Sequence, residues 1–295
     1  MALTQVEAAK LTQDLVLRGV IETVVKDSSI LQVLPFMEVV GSGVTYNREK
    51  TMPAAAFYDP GDTWTEAAPT FDQITAGLKI IGGDADVDNF LQQTYANPND
   101  LEATVIESRA KSVAHKFSDA FYNGDSAVDT KSFDGLAKAV PGSQTKTAGA
   151  NGAALDLDMV DELIDMVKPG RPDALLMHKR TRRKLSSLRR ASGTVLETSV
   201  LAFGQHVVMY DGIPILVDDF IPIDETQGTS GAVCSSIYAV KFGPEGVMGL
   251  ENGGIQVEEV GELETKDATR HRIKWYVAIA LLSELGVARL SGITG

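Results

Sequence analysis

The stretch NPNDLEATVIESRAKSVAHKFSDAFYN, Asn97–Asn123, decides how the rest of the chain is read. Asn97 followed by Pro98 has the form of a helix start, since Asn caps well and Pro is tolerated at the first helical position. Asp100 and Glu102 put negative charge in the first turn, where the helix dipole favours it. Leu101, Val105, Ala110, Val113, Phe117, Ala120 and Phe121 recur at spacings of three to five and make an apolar stripe. Glu107, Arg109, Lys111, Lys116 and Asp119 fall mostly off it. Gly124 stands where a C′ glycine would end the helix. A helix of roughly 25 residues is about 38 Å long, twice the common length, and can serve as a spine for other layers.

Around that spine lies a chain of 295 residues with a formal net charge of -13. The length suits two domains, or one domain with extensions. The charge speaks against general affinity for nucleic acid, which asks for the opposite sign. A single cysteine, Cys234, excludes an intrachain disulfide and a cysteine-based zinc cluster, and suits a reducing compartment. No run approaches the length of a transmembrane helix. Asp14 and Arg18 interrupt the N-terminal apolar stretch, so no signal peptide is read there and a cytoplasmic site of synthesis is expected.

Before the spine, Thr4 with Glu7 fits a capping box, and Leu11, Leu15, Val16, Val20 and Val24 give an amphipathic helix weakened by Gly19. Ile30 to Val40 reads as a strand after a turn at Asp27–Ser29. Between Gly41 and Gly83, glycines and prolines punctuate a segment whose apolar residues are spread thinly. Val44 to Arg48 and Phe71 to Ile81 read as two arms of a long hairpin. The middle, TMPAAAFYDPGDTWTEAAP, has no helical period. So long a loop belongs to a binding or bridging element.

After the spine come Phe133–Leu136 and a loop, Pro141–Ala154. Leu157, Val160, Leu163, Ile164 and Val167 mark a helix stopped by Pro169-Gly170. Ala174 to Met177 is a short buried strand, and Lys179 to Arg190 a basic helix ending near Gly193. Val207 to Tyr210 and Ile213 to Val217 flank Asp211-Gly212, a two-residue hairpin turn. The rest reads β: a strand over Ile237 to Phe242, a glycine-rich connection from Gly243 to Gly254, and an alternating strand from Ile255 to Val260. A long strand then runs from Arg270 to Leu282, with Ile273, Trp275, Val277 and Ile279 on one face, and Gly286 to Leu290 closes the chain.

No catalytic signature is present: HExxH, a post-strand GxGxxG and GxxxxGK[ST] are all missing. His115, His178, His206 and His271 are scattered without ligand spacing, and His115 on the spine helix reads as structural. Cys234 reads as a buried inert thiol. Asp84-Ala-Asp86-Val-Asp88 hints at a calcium loop, but Asn89 and Tyr95 stand where an EF-hand needs Gly and Glu; a solvated strand edge is the favoured reading. The chain is therefore read as no enzyme, with no catalytic, cofactor or metal residue. Lys179, Arg180, Arg182, Arg183, Lys184, Arg189 and Arg190 are the one basic concentration. They read either as a phosphate-binding face or, with more weight, as a face pairing with acids of neighbouring copies such as Asp156, Asp158, Asp161 and Glu162.

The order of elements, and six segments in that order, resemble the major capsid proteins of tailed bacteriophages, the Hong Kong 97-type fold. Trp64–Ile81 looks like the family's descending arm of the extended loop, and Val87–Asp125 like the entry to the spine helix and the helix itself. Phe133–Leu136 sits where the family carries a short Gly-Leu motif. Pro172–Arg189 resembles the strand and helix of the axial domain, with His178 where a small polar residue is expected. Asp211–Pro222 resembles its later hairpin, and Asp267–Gly292 the closing strands.

The resemblance implies an α+β fold with these parts: residues 1–40 as N-terminal arm, 41–83 as extended loop, 84–140 as peripheral domain with the spine helix, 141–236 as axial α/β domain, and 237–295 as strands returning to the peripheral domain. It implies a shell of hexamers and pentamers enclosing double-stranded DNA that is not bound sequence-specifically, in a virion assembled in the host cytoplasm, with no membrane. Only about forty residues precede the loop, which implies a separate scaffolding protein or a precursor already trimmed, the initiator Met1 favouring the former; a portal is expected too, and a decoration protein is left open. Phe57, Tyr58, Trp64, Glu66 and Phe71 are then loop contacts to an adjacent subunit, and Lys179, Arg180, Arg182, Arg183, Arg189 and Arg190 contacts of the basic helix. Some members join a loop lysine to a neighbour's asparagine with a glutamate's help; Lys50 and Lys79 lie in the loop region and Asn252 beside Glu251, and nothing in the sequence brings them together. Two alternatives stand beside this reading: an encapsulin-like compartment of the same fold, and a cytosolic α/β enzyme.

Overall fold

The computed structural model describes residues 29–89, 101–200, 206–229 and 231–295. The readings made for Thr4–Val24, for Asp27-Ser28 and for the Asn97–Asp100 helix start lie outside them. A short helix, α1 (Ser29–Val33), leads into β1 (Phe36–Glu38), where the sequence suggested one strand over Ile30–Val40. Ile30 and Leu34, four apart and both buried in the main core, follow the helical period. Pro35 lacks the N–H a continued helix would need, so the chain turns extended there.

β2 (Gly43–Thr51) and β3 (Thr70–Gly77) pair antiparallel as a separate two-stranded ribbon. The arm expected over Phe71–Ile81 is divided at Leu78, because β4 (Lys79–Asp88) leaves the ribbon and joins another sheet. The spine helix α2 (Leu101–Asn123) buries Ile106, Ala110, Val113, Phe117, Ala120 and Phe121. Val105 lies beside this face, half-buried, with Ile106 inside in its place.

Gly124 does not adopt the left-handed conformation expected of a C′ glycine. It is required by close approach instead. Its N–H donates to the Ala120 carbonyl at 2.9 Å, and the Gly135 N–H donates to the Gly124 carbonyl at 2.8 Å. A Cβ at Gly135 would stand 2.5 Å from the Ala120 oxygen and 2.7 Å from the Gly124 nitrogen, and one at Gly124 would collide with the Phe133 carbonyl. Two facing glycines thus let the FDGL segment close over the end of the spine.

α3 (Leu136–Ala139) follows, then β5 (Thr145–Thr147) and β6 (Ala153–Ala154). The α/β part holds α4 (Leu157–Asp165), β7 (Ala174–Met177) and α5 (Lys179–Ala191). β8 (Glu197–Val200), β9 (His206–Tyr210) and β10 (Ile213–Val217) come next. Asp211 and Gly212 both have positive φ, 49° and 76°, as a two-residue hairpin turn demands. The chain ends with β11 (Glu225–Gln227), β12 (Ala232–Val240), β13 (Val247–Glu262), β14 (Ala268–Leu281) and β15 (Val287–Thr294). β13 runs through most of the glycine-rich segment that the sequence suggested was a connection; Gly253 and Gly254, at φ 68° and 65°, form a bulge inside it.

One sheet has the order β1-β13-β14-β4; the larger has β5-β15-β12-β7-β10-β9-β8, with β6 on β15 and β11 on β12. The segment 237–295 is shared between the two: β13 and β14 lie in the first, β12 and β15 in the second. The main core lies where α2 meets both sheets, joining Phe117, Phe121, Ile273, Trp275 and Val277 to Tyr122, Leu176 and Tyr238. Ile273, Trp275 and Val277 share a buried face at the period of two expected from the sequence, with Ile279 partly buried against the same core. A second core of Leu163, Leu185, Ile215, Ile237 and Leu290 lies under α4 and α5.

Candidate assembly surfaces

The ribbon is held to the rest of the chain near its base. The Tyr46 hydroxyl donates to the Leu281 carbonyl at 3.0 Å; Arg48 donates to the same carbonyl and pairs with Glu284 at 2.6 Å. The sequence reading passed over this clamp, although Tyr46 and Arg48 are two apart and so share a strand face. Beyond it, residues 52–69 form neither helix nor strand. The segment nevertheless has local order. The Asp59 N–H donates to the Asp62 carboxylate at 2.8 Å, the Tyr58 ring stacks on Trp64 at 4.3 Å between centroids, and the Thr65 N–H donates to the Tyr58 hydroxyl.

Of the loop residues named from sequence, Phe57 is fully exposed, Trp64 is 77% exposed and Phe71 63%. Glu66 is exposed and Tyr58 half-buried by its stack. Phe57, Trp64 and Phe71 thus leave aromatic surface exposed along a segment that has its own turn.

The groups considered for a covalent link are each engaged within the chain. The Lys79 ammonium donates to the Thr130 carbonyl at 2.7 Å, the Asn252 amide donates to the Val39 carbonyl at 2.8 Å, and Glu251 accepts from the Trp275 indole N–H at 3.1 Å. Asp72, hydrogen-bonded to Lys50, holds that lysine above its ordinary pKa, the opposite of what a nucleophilic amine needs.

The basic helix α5 is capped by His178, whose Nδ1 accepts from the Arg180 N–H at 3.1 Å while Nε2 faces the Asp219 carboxylate at 3.5 Å. The imidazole thus does the work of the small polar residue expected there. Burial lowers its pKa, the Asp219 charge opposing this. Lys179 pairs with Asp219 at 3.0 Å. Arg189 lies 4.6 Å over the Tyr210 ring, and the Tyr210 hydroxyl donates to Asp161 at 2.7 Å. Arg180 and Lys184 are half-buried; Arg182, Arg183 and Arg190 are exposed.

The remaining candidates take structural places. Cys234 is buried, and His115 packs on Phe220 with ring centroids 5.4 Å apart. Asp84 and Asp86 lie on the edge strand β4 and pair with Arg272 and Arg270 at 2.7 and 2.6 Å. Among the described residues, no group of His, Cys, Asp and Glu could hold a metal ion, and no helix is long and apolar enough to cross a membrane. Sequence reading missed two links: the buried Tyr122 to Asp218 at 3.2 Å, and the half-buried Arg289 to Glu225 at 3.1 Å, with the Arg289 guanidinium 5.6 Å from the Tyr238 ring centroid.

A model of the phage capsid family matches residues 11–291. No curated protein matches significantly. Among solved structures, the holo-SrpI encapsulin complex from Synechococcus elongatus superposes with a TM-score of 0.72 at 20% identity, over 90% of this chain and 87% of that one. The capsid of a native GTA particle gives 0.70 at 18%, over 91% of each chain. Microbacterium phage Oxtober96 gives 0.65 at 18%, over 90% of each.

Proposed function

The chain belongs to the phage capsid family and has the Hong Kong 97-type fold, and on that premise we propose that it is the major head protein of a tailed bacteriophage. It is a structural shell protein, not an enzyme. In this reading, copies assemble into hexamers and pentamers of an icosahedral shell around double-stranded DNA, with a separate scaffolding protein and a portal. The observation that carries it is the ribbon beyond the Arg48 clamp, whose Phe57 and Trp64 are left exposed among the described residues; in this reading another copy covers them. A two-stranded arm can tilt, so it fits the slightly unequal contacts of a closed shell. The net charge of -13 suits a container that must not hold its DNA fast.

An encapsulin-like compartment is the second reading, favoured by the likeness to the Synechococcus encapsulin. Electron micrographs of purified particles separate the two: DNA-filled heads with a tail vertex support the first, and small closed shells without DNA the second. Deleting Met52–Pro69 should leave a folded subunit that no longer assembles. Normal assembly of that variant would overturn the bridging role of the loop.

A further inference from the structure

We propose that the outer face of α5 docks on the outer face of α4 in a second copy, a head-to-tail contact between basic and acidic helices. This rests on the shell reading above and adds which surfaces meet. On α5, Lys179, Arg182, Arg183 and Arg190 recur at spacings of three, four and seven, so they share one face, opposite the buried Thr181 and Leu185. On α4, Asp158, Asp161, Glu162 and Asp165 do the same, opposite Val160, Leu163 and Ile164. Like charges four apart on a helix repel, so each face slightly strains its own helix. Juxtaposing the two faces relieves both.

The two helices touch within one chain, yet their charges are not spent on each other. Asp161 accepts from Tyr210, whose ring separates it from Arg189. Glu162 pairs with Lys146, and Lys179 with Asp219. Arg190 bonds its own helix at Ser186. Arg182, Arg183, Asp158 and Asp165 are exposed, with no side-chain partner among the described residues. Each copy therefore offers a basic face and an acidic face, set on different helices. A contact of unlike faces is heterologous, so it repeats from copy to copy and closes into a ring when the rotation allows. Such fields also raise the rate of correct encounter. A nucleic acid is the weaker occupant of the basic face, because the rest of the molecule repels it.

The test is charge exchange in the full chain, read by light scattering and size exclusion. The pair Arg182→Glu with Arg183→Glu, and the pair Asp158→Lys with Asp165→Lys, should each cut the assembled fraction at least tenfold. The subunit should stay folded, its melting temperature moving by no more than a few degrees, since these exposed side chains have no side-chain partner within the chain and the helix-charge effects they alter are small. All four changes together should restore assembly. Wild-type assembly by either pair variant refutes the contact, as does failure of the fourfold variant to recover. A gel shift with duplex DNA that is lost in the arginine pair while assembly persists assigns the basic face to phosphate instead. Wild-type protein that stays monomeric at high concentration refutes the shell reading itself, and this contact with it.

Discussion

Replacing Phe117 with alanine tests the core on which both sheets close. The ring is fully buried and touches Trp275, Phe133, Phe36 and Phe121, with centroids 5.0, 6.0, 6.1 and 6.3 Å away. These neighbours come from β14, the FDGL segment, β1 and α2 itself, so one side chain ties four parts of the chain. A buried Phe-to-Ala change costs about 3–5 kcal/mol, and each lost aromatic pair adds about 0.5–1.5 kcal/mol beyond area. Partial collapse recovers some of this, so about 5 kcal/mol is expected. That is roughly three decades or more in the unfolding constant. At about 2 °C per kcal/mol for a chain of this size, the melting temperature should fall by about 10 °C. Urea unfolding of the dissociated subunit gives the free energy. In a Trp64→Phe background only Trp275 remains to report by fluorescence. Phe71→Ala, at a site 63% exposed, is the control and should cost under about 1 kcal/mol. A Phe117→Ala loss no larger than that control would show that the ring does not sit in the core as described.

Gly124→Ala should cost about 1–3 kcal/mol, because its Cβ meets backbone that cannot swing aside; unfolding midpoints decide, and a neutral result would mean the FDGL segment does not close on the helix end. His178→Ala removes the cap of α5 and should cost about 0.5–2 kcal/mol, whereas His178→Asn should keep most of it, as paired denaturant titrations would show. Because burial lowers the His178 pKa from its ordinary 6.5, its stabilisation is complete above that value and is lost as pH falls through the folded-state value. Wild-type protein should therefore lose stability on acidification below about pH 6.5 more steeply than His178→Asn, and identical pH profiles would contradict the assignment.

The spine, the basic helix, the Asp211-Gly212 turn and the closing strand over Arg270–Leu282 were legible because each rests on a local signal: a period of 3.6, a period of two, or a turn that demands positive φ. The misses share a cause. Gly253 and Gly254 look like linker residues unless the partner strand that tolerates the bulge is known. Gly124 looks like a helix cap unless Gly135, facing it from the next segment, is seen. The His178 cap had a signal, a polar residue directly before a helix-forming run, but an imidazole is an uncommon choice for that place. For the candidate contacts, the sequence marked which side chains are too apolar or too charged to be idle. It carried no record of Tyr210 and Lys146 taking up Asp161 and Glu162, since those meetings depend on tertiary packing.

From Thr70 to Asp88 the polypeptide is almost continuously extended, broken only at Leu78, whose N–H donates to the Ser42 carbonyl at 2.8 Å. The projecting arm and the rim of the four-stranded sheet are therefore one length of chain bent at Leu78, with the Tyr46 and Arg48 contacts to Leu281 and Glu284 as a second hold at its base. Both halves of that length are fastened to β14, the arm at Leu281 and β4 through its ladder and the Asp84–Arg272 and Asp86–Arg270 pairs. If copies meet at this arm as proposed, a pull on it would bear on the strand that carries Trp275 into the core.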